Sequence, residues 1–197
     1  MKQSLHLRLL LLFFVLGLPC QVVLGQAPDP GNKLRTQVVK VNMLNPLLMG
    51  LSGYYERAFA ERKSFQLGVF SGWEHSEVKR GDFFRIFSLT PEMRFYLSKQ
   101  KEALTGFYLA PYLRYRRVSY GEGLLGQTFQ RKINEVGTGL LVGHQWVRRR
   151  GFTMDGFLGA GYYPIFRTHF NHSNVVRQGS TMYPIDIRLG FALGYAF

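Results

Sequence analysis

The sequence predicts an all-β protein: an eight-stranded antiparallel up-and-down transmembrane β-barrel. Three observations lead to this fold class. Residues 185–197 alternate between large apolar side chains at odd positions and small or charged side chains at even positions. Seven earlier segments share this period of two, and beyond residue 25 no apolar run is long enough for a membrane-spanning helix. Strands of ~9–11 residues with such alternation are typical of barrels that cross a bilayer.

Residues 1–25 are interpreted as a cleaved secretory signal peptide, because basic residues precede an apolar stretch and a small residue, Gly25, precedes the expected cleavage point. Cleavage there would remove Cys20, the only cysteine, so no disulfide is expected. A lipidated Cys20 is the alternative, and Pro19 disfavours it. Residues 26–35, which contain proline and glycine, are predicted to be a disordered leader, and residues 36–197 the barrel.

The chain is strongly basic, with a formal net charge of +13, of which Lys2 and Arg8 would leave with the signal peptide to give +11. A basic surface favours anionic partners such as lipid phosphates, lipopolysaccharide or nucleic acid. Because an exported protein does not meet nucleic acid, we expect outer-membrane lipids and lipopolysaccharide as partners and no nucleic acid. A basic surface that only maintains solubility remains the alternative.

The eight segments also have a regular rhythm of connections. The predicted strands cover about 36–45, 51–60, 65–74, 86–97, 104–118, 133–147, 152–163 and 185–197. Connections after the second, fourth and sixth strands are short, whereas long loops follow the third, fifth and seventh, including 119–131 and a loop that runs to about 181. Short turns at one rim and long loops at the other are typical of outer-membrane barrels. Pro91 and Pro111 fall within strands and predict a bulge or kink.

The apolar faces are predicted to point outward to lipid. They carry many of the 17 phenylalanines and 11 tyrosines, too much volume for the narrow lumen of eight strands. The opposite faces carry small residues and charges that need buried partners. We therefore predict a structural interior charge network of five acids and five bases. Its members are Lys40, Glu56, Glu92, Arg94, Arg114, Arg116, Glu135, Asp155, Asp186 and Arg188. The alternatives are an ion path and the solvated faces of a soluble sandwich.

Several segments carry a resemblance to a known group of proteins. They are Val39–Asn42, Ser88–Tyr96, Phe107–Tyr112, Gly143–Trp146 and Gly190–Tyr195. Through them residues 36–197 resemble the small eight-stranded outer-membrane barrels of Gram-negative bacteria, of OmpA- and OmpX-like architecture, and most closely an uncharacterised barrel family known as a domain of unknown function. The resemblance implies a location in the cell outer membrane after signal-peptide cleavage.

The end of the chain is similar to the terminal signal that the barrel-assembly machinery reads. Tyr195 and Phe197 carry this similarity, which implies that the machinery is a partner during biogenesis. Ala192 and Gly190 depart from the usual pattern of that signal.

No catalytic, cofactor-binding or metal-binding residue is predicted. His169 and His172 lack a third ligand for zinc. Ser76 beside His75 and Ser173 beside His172 are neighbours on an extended chain, so their side chains point in opposite directions and do not form a nucleophile and base pair. No phosphate-binding or nucleotide-binding motif is present.

Cations in or beside the long loops are the candidate lipopolysaccharide contacts, since they can bond phosphates. They are Lys79, Arg80, Arg131, Arg167 and Arg177. The sequence thus favours an outer-membrane barrel with a structural or surface-interaction role in the cell envelope. The alternatives are a lipid-A-modifying outer-membrane enzyme and a soluble periplasmic ligand-binding barrel; a pore is disfavoured because an eight-stranded lumen is filled.

Overall fold

A computed structural model describes residues 35–48, 50–75, 83–97, 104–124, 127–170, 173–177 and 185–197. Within these ranges, no helix has the length and apolar character needed to cross a membrane. Nine strands and one short 3-10 helix, Asn45–Leu48, are formed there. The strands are β1 (Gln37–Asn42), β2 (Gly50–Ala60), β3 (Lys63–His75), β4 (Phe83–Tyr96), β5 (Gly106–Leu124), β6 (Gln127–Val147), β7 (Phe152–Phe170), β8 (Ser173–Arg177) and β9 (Ile185–Ala196).

Eight of these strands close into a ring. From β1 to β7 each strand pairs antiparallel with the next, and β9 pairs with both β7 and β1. At the seam Val39 lies opposite Tyr195, and the main-chain N–H groups of Thr36 and Gln37 donate to the carbonyl of Phe197 at 3.2 and 3.1 Å. The predicted eight-stranded up-and-down barrel is therefore confirmed. The short β8 pairs only with β7 and lies outside the ring.

The predicted loops at 119–131 and beyond residue 163 are wrong in part. β5 and β6 continue as a hairpin whose last pair is Leu124 and Gln127, and β7 continues to Phe170 before β8 folds back on it. Main-chain pairing does not require an apolar face, so these extensions leave no clear alternation in the sequence. The predicted loop at 76–82 lies outside the described residues.

The prediction of a bulge or kink at the prolines is wrong for the bulge, although the β4–β5 ladder is interrupted beside both prolines, between Leu89 and Glu92 and between Glu92 and Phe95. Pro91 lies opposite Leu67 and Pro111 opposite Leu140, both without a shift of register. The register shifts lie elsewhere: at Ala58/Ala60 and Val136/Thr138 within the ring, and at Thr168/Phe170 between β7 and β8. Proline lacks an N–H, so it removes hydrogen bonds from the ladder without requiring an extra residue in the strand.

The two faces of each ring strand differ sharply in exposure. On β9, Ile187 is 74% exposed and Leu189 is 64% exposed, whereas Arg188 between them is 9% exposed and Ala192 is fully buried. Large apolar groups therefore cover the outside of the barrel, and small or charged groups face the lumen, as the alternation predicts.

Aromatic rings fill the lumen where the neighbouring strand has a glycine at the paired position. A Cβ at Gly190 would overlap the ring of Phe157, and a Cβ at Gly139 would overlap the hydroxyl of Tyr112. Glycine is required at these two positions because a narrow barrel has no room for two side chains at one level.

We predict that Gly190→Ala lowers the free energy of unfolding by about 1–3 kcal/mol, because the added methyl group collides with Phe157. Gly156→Ala is the matched control, since the space around Gly156 is open to 4 Å. Urea unfolding of the refolded barrel measures both, and the additional change Phe157→Leu should restore part of the loss. Equal stability of the two alanine variants would contradict the packing described.

Candidate functional site: the charged lumen

The lower lumen, at the end of the barrel where β1 begins and β9 ends, is organised around the buried Lys40 of β1. Its ammonium group donates to Glu56 Oε2 at 2.6 Å, to Asp155 Oδ2 at 2.8 Å and to Gln145 Oε1 at 2.5 Å. All three of its protons are thus used, and the bonds join β1 to β2, β6 and β7. A lysine ammonium buried in this way is retained only because anionic partners surround it.

Arg94 of β4 completes the same cluster from the opposite wall. Its Nη1 donates to Asp155 Oδ2 at 2.8 Å and contacts Glu56 Oε2 at 3.4 Å, while its Nη2 reaches Glu92 Oε2 at 3.4 Å. The guanidinium lies over the ring of Tyr108, 4.2 Å from the centroid. Protein groups therefore contact this cation along its edge and on one face.

Neutral side chains bind the remaining carboxylate oxygens. Tyr96 and Ser64 donate to Glu56 Oε1 at 2.6 and 2.5 Å. Tyr108 donates to Asp155 Oδ1 at 2.7 Å. Hydrogen bonds from neutral donors stabilise the ionised form of a buried carboxylate, so both carboxylates can keep their charge inside the barrel.

Arg188 of β9 connects the lower cluster to the upper lumen. It pairs with Glu92 Oε1 at 3.0 Å and lies 4.6 Å from the ring centroid of Tyr112. With Arg188 included, three cations face three carboxylates, so the lower lumen is electrically balanced.

A second cluster occupies the upper lumen. Arg114 pairs with Asp186 at 2.7 Å, and Arg116 pairs with Glu135 at 2.5 Å and approaches Asp186 at 3.9 Å. Tyr163 donates to Asp186 at 3.1 Å. The charged groups of this cluster are partly exposed, in contrast to the fully buried lower cluster.

Every residue of the predicted interior charge network therefore lies in an ion pair, but the set is divided between two clusters. Five members lie in the lower cluster, four in the upper one, and Arg188 lies between them. Among the described residues no group of three or more metal-ligating side chains is found. The arrangement is that of a fully buried, ion-paired structural core in the lower half, with polar groups still accessible in the upper half.

A cavity of about 410 Å³ lies in the upper half of the barrel, above Arg188. Its polar lining comes from Asn42, Asn45, Ser52, Ser88, Thr90, Arg114, Asp186 and Arg188. Leu44, Tyr54 and Phe157 add apolar surface. No sequence prediction located this cavity, since it depends on how the strands end at one side of the ring.

The candidate lipopolysaccharide contacts are only partly described. Lys79 and Arg80 lie outside the described residues. Arg131 lies in β6, Arg167 in β7 and Arg177 in β8, rather than in loops. The histidines and serines weighed for catalysis or metal binding lie in or next to segments that the structure does not describe.

Sequence reasoning missed the neutral partners of the network. Gln145 is fully buried and bonded to Lys40, yet it stands between His144 and Trp146, whose aromatic character dominates that segment of the sequence. Its odd position on β6, in phase with the inward-facing Glu135, is the signal that could have identified it. The same phase argument applies to Tyr96 and Tyr108.

Comparison with known proteins gives one family match and several similar folds. The model of a family described as "Protein of unknown function (DUF3575)" matches residues 10–197. No curated protein matches the chain.

Three solved structures are similar to it. One is a major outer membrane protein from Thermus thermophilus, with 16% identity over 84% of this chain and 100% of that chain, at a TM-score of 0.55. Neisserial surface protein A has 13% identity over 82% and 96%, at 0.49. CarO from Acinetobacter baumannii has 12% identity over 84% and 100%, at 0.42. Of these three, the Thermus protein supports the barrel fold.

We predict that Lys40→Met lowers the free energy of unfolding by about 3–5 kcal/mol, because it leaves Glu56 and Asp155 buried with one cation fewer. Lys63→Met, at the exposed start of β3, is the control and should change stability by no more than about 0.5 kcal/mol. Urea unfolding in vesicles measures both values. If the two variants are equally stable, the buried network contributes nothing to stability.

Proposed function

Because this chain belongs to the DUF3575 family of proteins of unknown function and folds as a closed eight-stranded barrel, we propose that it is an integral outer-membrane protein with a structural and surface-interaction role in the cell envelope. The proposal includes export by the signal peptide at residues 1–25 and its cleavage before Gln26. A lipid-modifying activity is not part of it.

The observation that carries the proposal is the apolar outer surface. Each of the eight ring strands carries at least two large apolar side chains that are exposed, from Val39 and Val41 on β1 to Ile185, Ile187 and Leu189 on β9. A soluble monomer rarely exposes such a continuous apolar surface, whereas a membrane barrel requires it. The soluble periplasmic alternative would have to leave this surface in water. The buried, ion-paired lower lumen supports a structural role over a conducting one.

We predict that the protein fractionates with the outer membrane and migrates faster on gels when unheated than when boiled, because a closed barrel resists detergent. Gly190→Val overfills the lumen opposite Phe157, so it should reduce the fraction of unheated protein that migrates at the faster position. Recovery in the soluble periplasmic fraction, with no heat-dependent shift, would contradict membrane insertion.

Tyr195 and Phe197 support a role in assembly. Both side chains are more than half exposed on the outer face, so the assembly machinery can reach them before the ring closes. The main chain of Phe197 also bonds to Thr36 and Gln37, so deletion of Phe197 would damage the seam as well as any signal. A substitution that keeps the main chain separates the two roles.

We predict that Phe197→Ala lowers the outer-membrane level of the protein several-fold in cells, while the purified variant still refolds into vesicles. Phe59→Ala is the matched control, because Phe59 is a similarly exposed aromatic residue near the same rim. Immunoblots of membrane fractions measure the levels. Normal insertion of Phe197→Ala would contradict the assembly role.

Lipopolysaccharide is the proposed surface partner. Arg85, Arg117 and Lys132 are exposed on three neighbouring strands, and Ser119 is the cross-strand partner of both Arg85 and Lys132. An outward groove of about 450 Å³ lies beside Trp73 and includes Arg85 and Arg117. Guanidinium and ammonium groups next to an aromatic residue suit a lipid phosphate at the membrane interface. Lys79, Arg80, Arg131, Arg167 and Arg177 remain candidate contacts.

We predict that neutralising Arg85, Arg117 and Lys132 to glutamine lowers the lipopolysaccharide that copurifies with the barrel several-fold. The control neutralises Arg148, Arg149 and Arg150, which are exposed at the opposite rim. Lipid phosphate per mole of protein is the measurement. Equal losses in both triple variants would indicate charge-driven association with no preferred rim.

A further inference from the structure

Within the described residues, the barrel wall has a gap beside the upper part of β9, residues 185–190, where β1 is too short to pair with it. This gap is called the notch. β1 is only six residues long, and its pairing with β9 ends at Asn42 opposite Ala192, with one further bond from Met43 N–H to the carbonyl of Phe191. On the other side of β9, pairing with β7 continues up to Ile185. The upper part of β9, 185–190, is therefore paired along one edge only within the described residues.

Local chemistry explains why β1 ends early. The side-chain oxygen of Asn42 accepts from the main-chain N–H of Leu44 at 3.0 Å, which turns the chain out of the strand. Asn45 then donates to Ser52 across the hairpin, and Pro46 has no N–H to offer a neighbouring strand. The β1–β2 hairpin therefore ends lower in the wall than β9 on one side and β3 on the other. Its upper end, around Asn42–Asn45, is called the sill below.

In the proposed membrane orientation, the notch lies in the lipid-facing wall, towards the rim opposite Phe197. Ile185 lies seven residues above Ala192, roughly 23 Å along the strand at 3.3 Å per residue. Because the carbonyl of Phe191 points towards β1, the main chain of Leu189 and Ile187 points towards the same open edge.

The cavity of about 410 Å³ lies directly behind the notch. Its lining includes Asp186 and Arg188, which face the lumen, and also Ile187 and Leu189, whose side chains are on the outer face. Val69 of β3 also lines the cavity from an outward position, although β3 is paired along both edges there, so the opening is inferred from the unpaired upper edge of β9 and not from the lining alone. The cavity therefore communicates with the lipid-facing surface.

A buried cation lies at the inner end of this path. Arg188 is 9% exposed and lines the cavity, and its Nη1 has no hydrogen-bond partner among the described residues. Within the same described part of the chain, the Nε of Arg114, which also lines the cavity, and the Nε of Arg94, which does not, likewise lack one. Buried guanidinium donors without partners are uncommon and indicate a missing acceptor.

We propose that the notch and cavity bind a long-chain fatty acid taken from the outer leaflet. The carboxylate bonds the guanidinium of Arg188, with Arg114 and the amides of Asn42 and Asn45 nearby. The acyl chain passes out over the sill between Leu44 and the apolar side chains of Ile187 and Leu189. A volume of about 410 Å³ is within the range of small-ligand pockets.

The charge and shape of the site favour this occupant over others. The open face of the cavity is apolar and meets lipid, which suits one acyl chain and not a soluble anion. The free donors of Arg188 suit one carboxylate and leave a neutral alcohol without an ionic partner. The inference rests on the proposed membrane insertion, so its test must report insertion separately.

The experiment uses the mature protein refolded into phosphatidylcholine vesicles that contain a palmitic acid with a photoreactive diazirine in its chain. After illumination, mass spectrometry maps the labelled peptides. We expect saturable labelling of peptides that line the notch and cavity. Unlabelled palmitate should compete at least tenfold better than palmityl alcohol.

Two variants and one matched control sharpen the test. Arg188→Gln removes the charge, and Ile187→Trp blocks the notch from the outer face; each should lower labelling at least fivefold. Leu158→Trp is the control, because Leu158 is an exposed apolar residue directly opposite Leu189 on a strand paired along both edges. It should retain labelling. Heat-modifiability and flotation with vesicles show that each variant has inserted.

Each outcome is decisive. Equal, non-saturable labelling of all inserted variants indicates boundary lipid only and overturns the site, as does equal competition by the alcohol. Crosslinks between β9 strands of two chains, without fatty-acid labelling, would assign the edge to a second copy instead. Failure of the unmodified protein to float contradicts the proposed membrane insertion, whereas flotation without labelling contradicts the fatty-acid site alone.

Discussion

The structure depends on the compensation of charge inside a narrow lumen. Lys40 is surrounded by Glu56, Gln145 and Asp155, and Arg94 reaches the same two carboxylates from another strand. Because the outer surface is apolar, polar groups can be buried only inside, and they must satisfy one another there. The network joins strands that are not neighbours in the ring, such as β4 and β7 through Arg94 and Asp155. It therefore contributes to the curvature of the barrel wall.

The same constraint explains the distribution of small and large residues. A charged cluster and tyrosine rings occupy the lumen, and the facing positions are glycine or alanine. Above Arg188 the charged cluster of the upper lumen fills the barrel only in part, and a cavity remains. The lower half therefore stabilises the barrel, while the upper half retains polar groups that can bind a ligand.

The period-two pattern was sufficient for the ring strands and for the outward face of residues such as Ile187, because burial in lipid imposes alternation. It also placed all ten charged residues on the inner face. It could not divide them into two clusters or identify Gln145 as a partner of Lys40, since those contacts depend on the stagger between strands. The β5–β6 extension to Leu124 and Gln127 and the early end of β1 follow from main-chain pairing and turn chemistry, which leave no alternation.

The seam joins the two ends of the barrel sequence, and this has a kinetic consequence. Val39 pairs with Tyr195, and Lys40 binds an acceptor 115 residues away in the chain. Contacts of such large sequence separation form late and slowly, because the entropy of closing the loop must be overcome first. β1 can pair early with β2, but its other edge has no partner until β9, the last strand, has been synthesised. Closure of the ring must therefore follow translation, and the unclosed chain, with apolar faces and an unpaired edge, requires protection from aggregation on its way to the membrane.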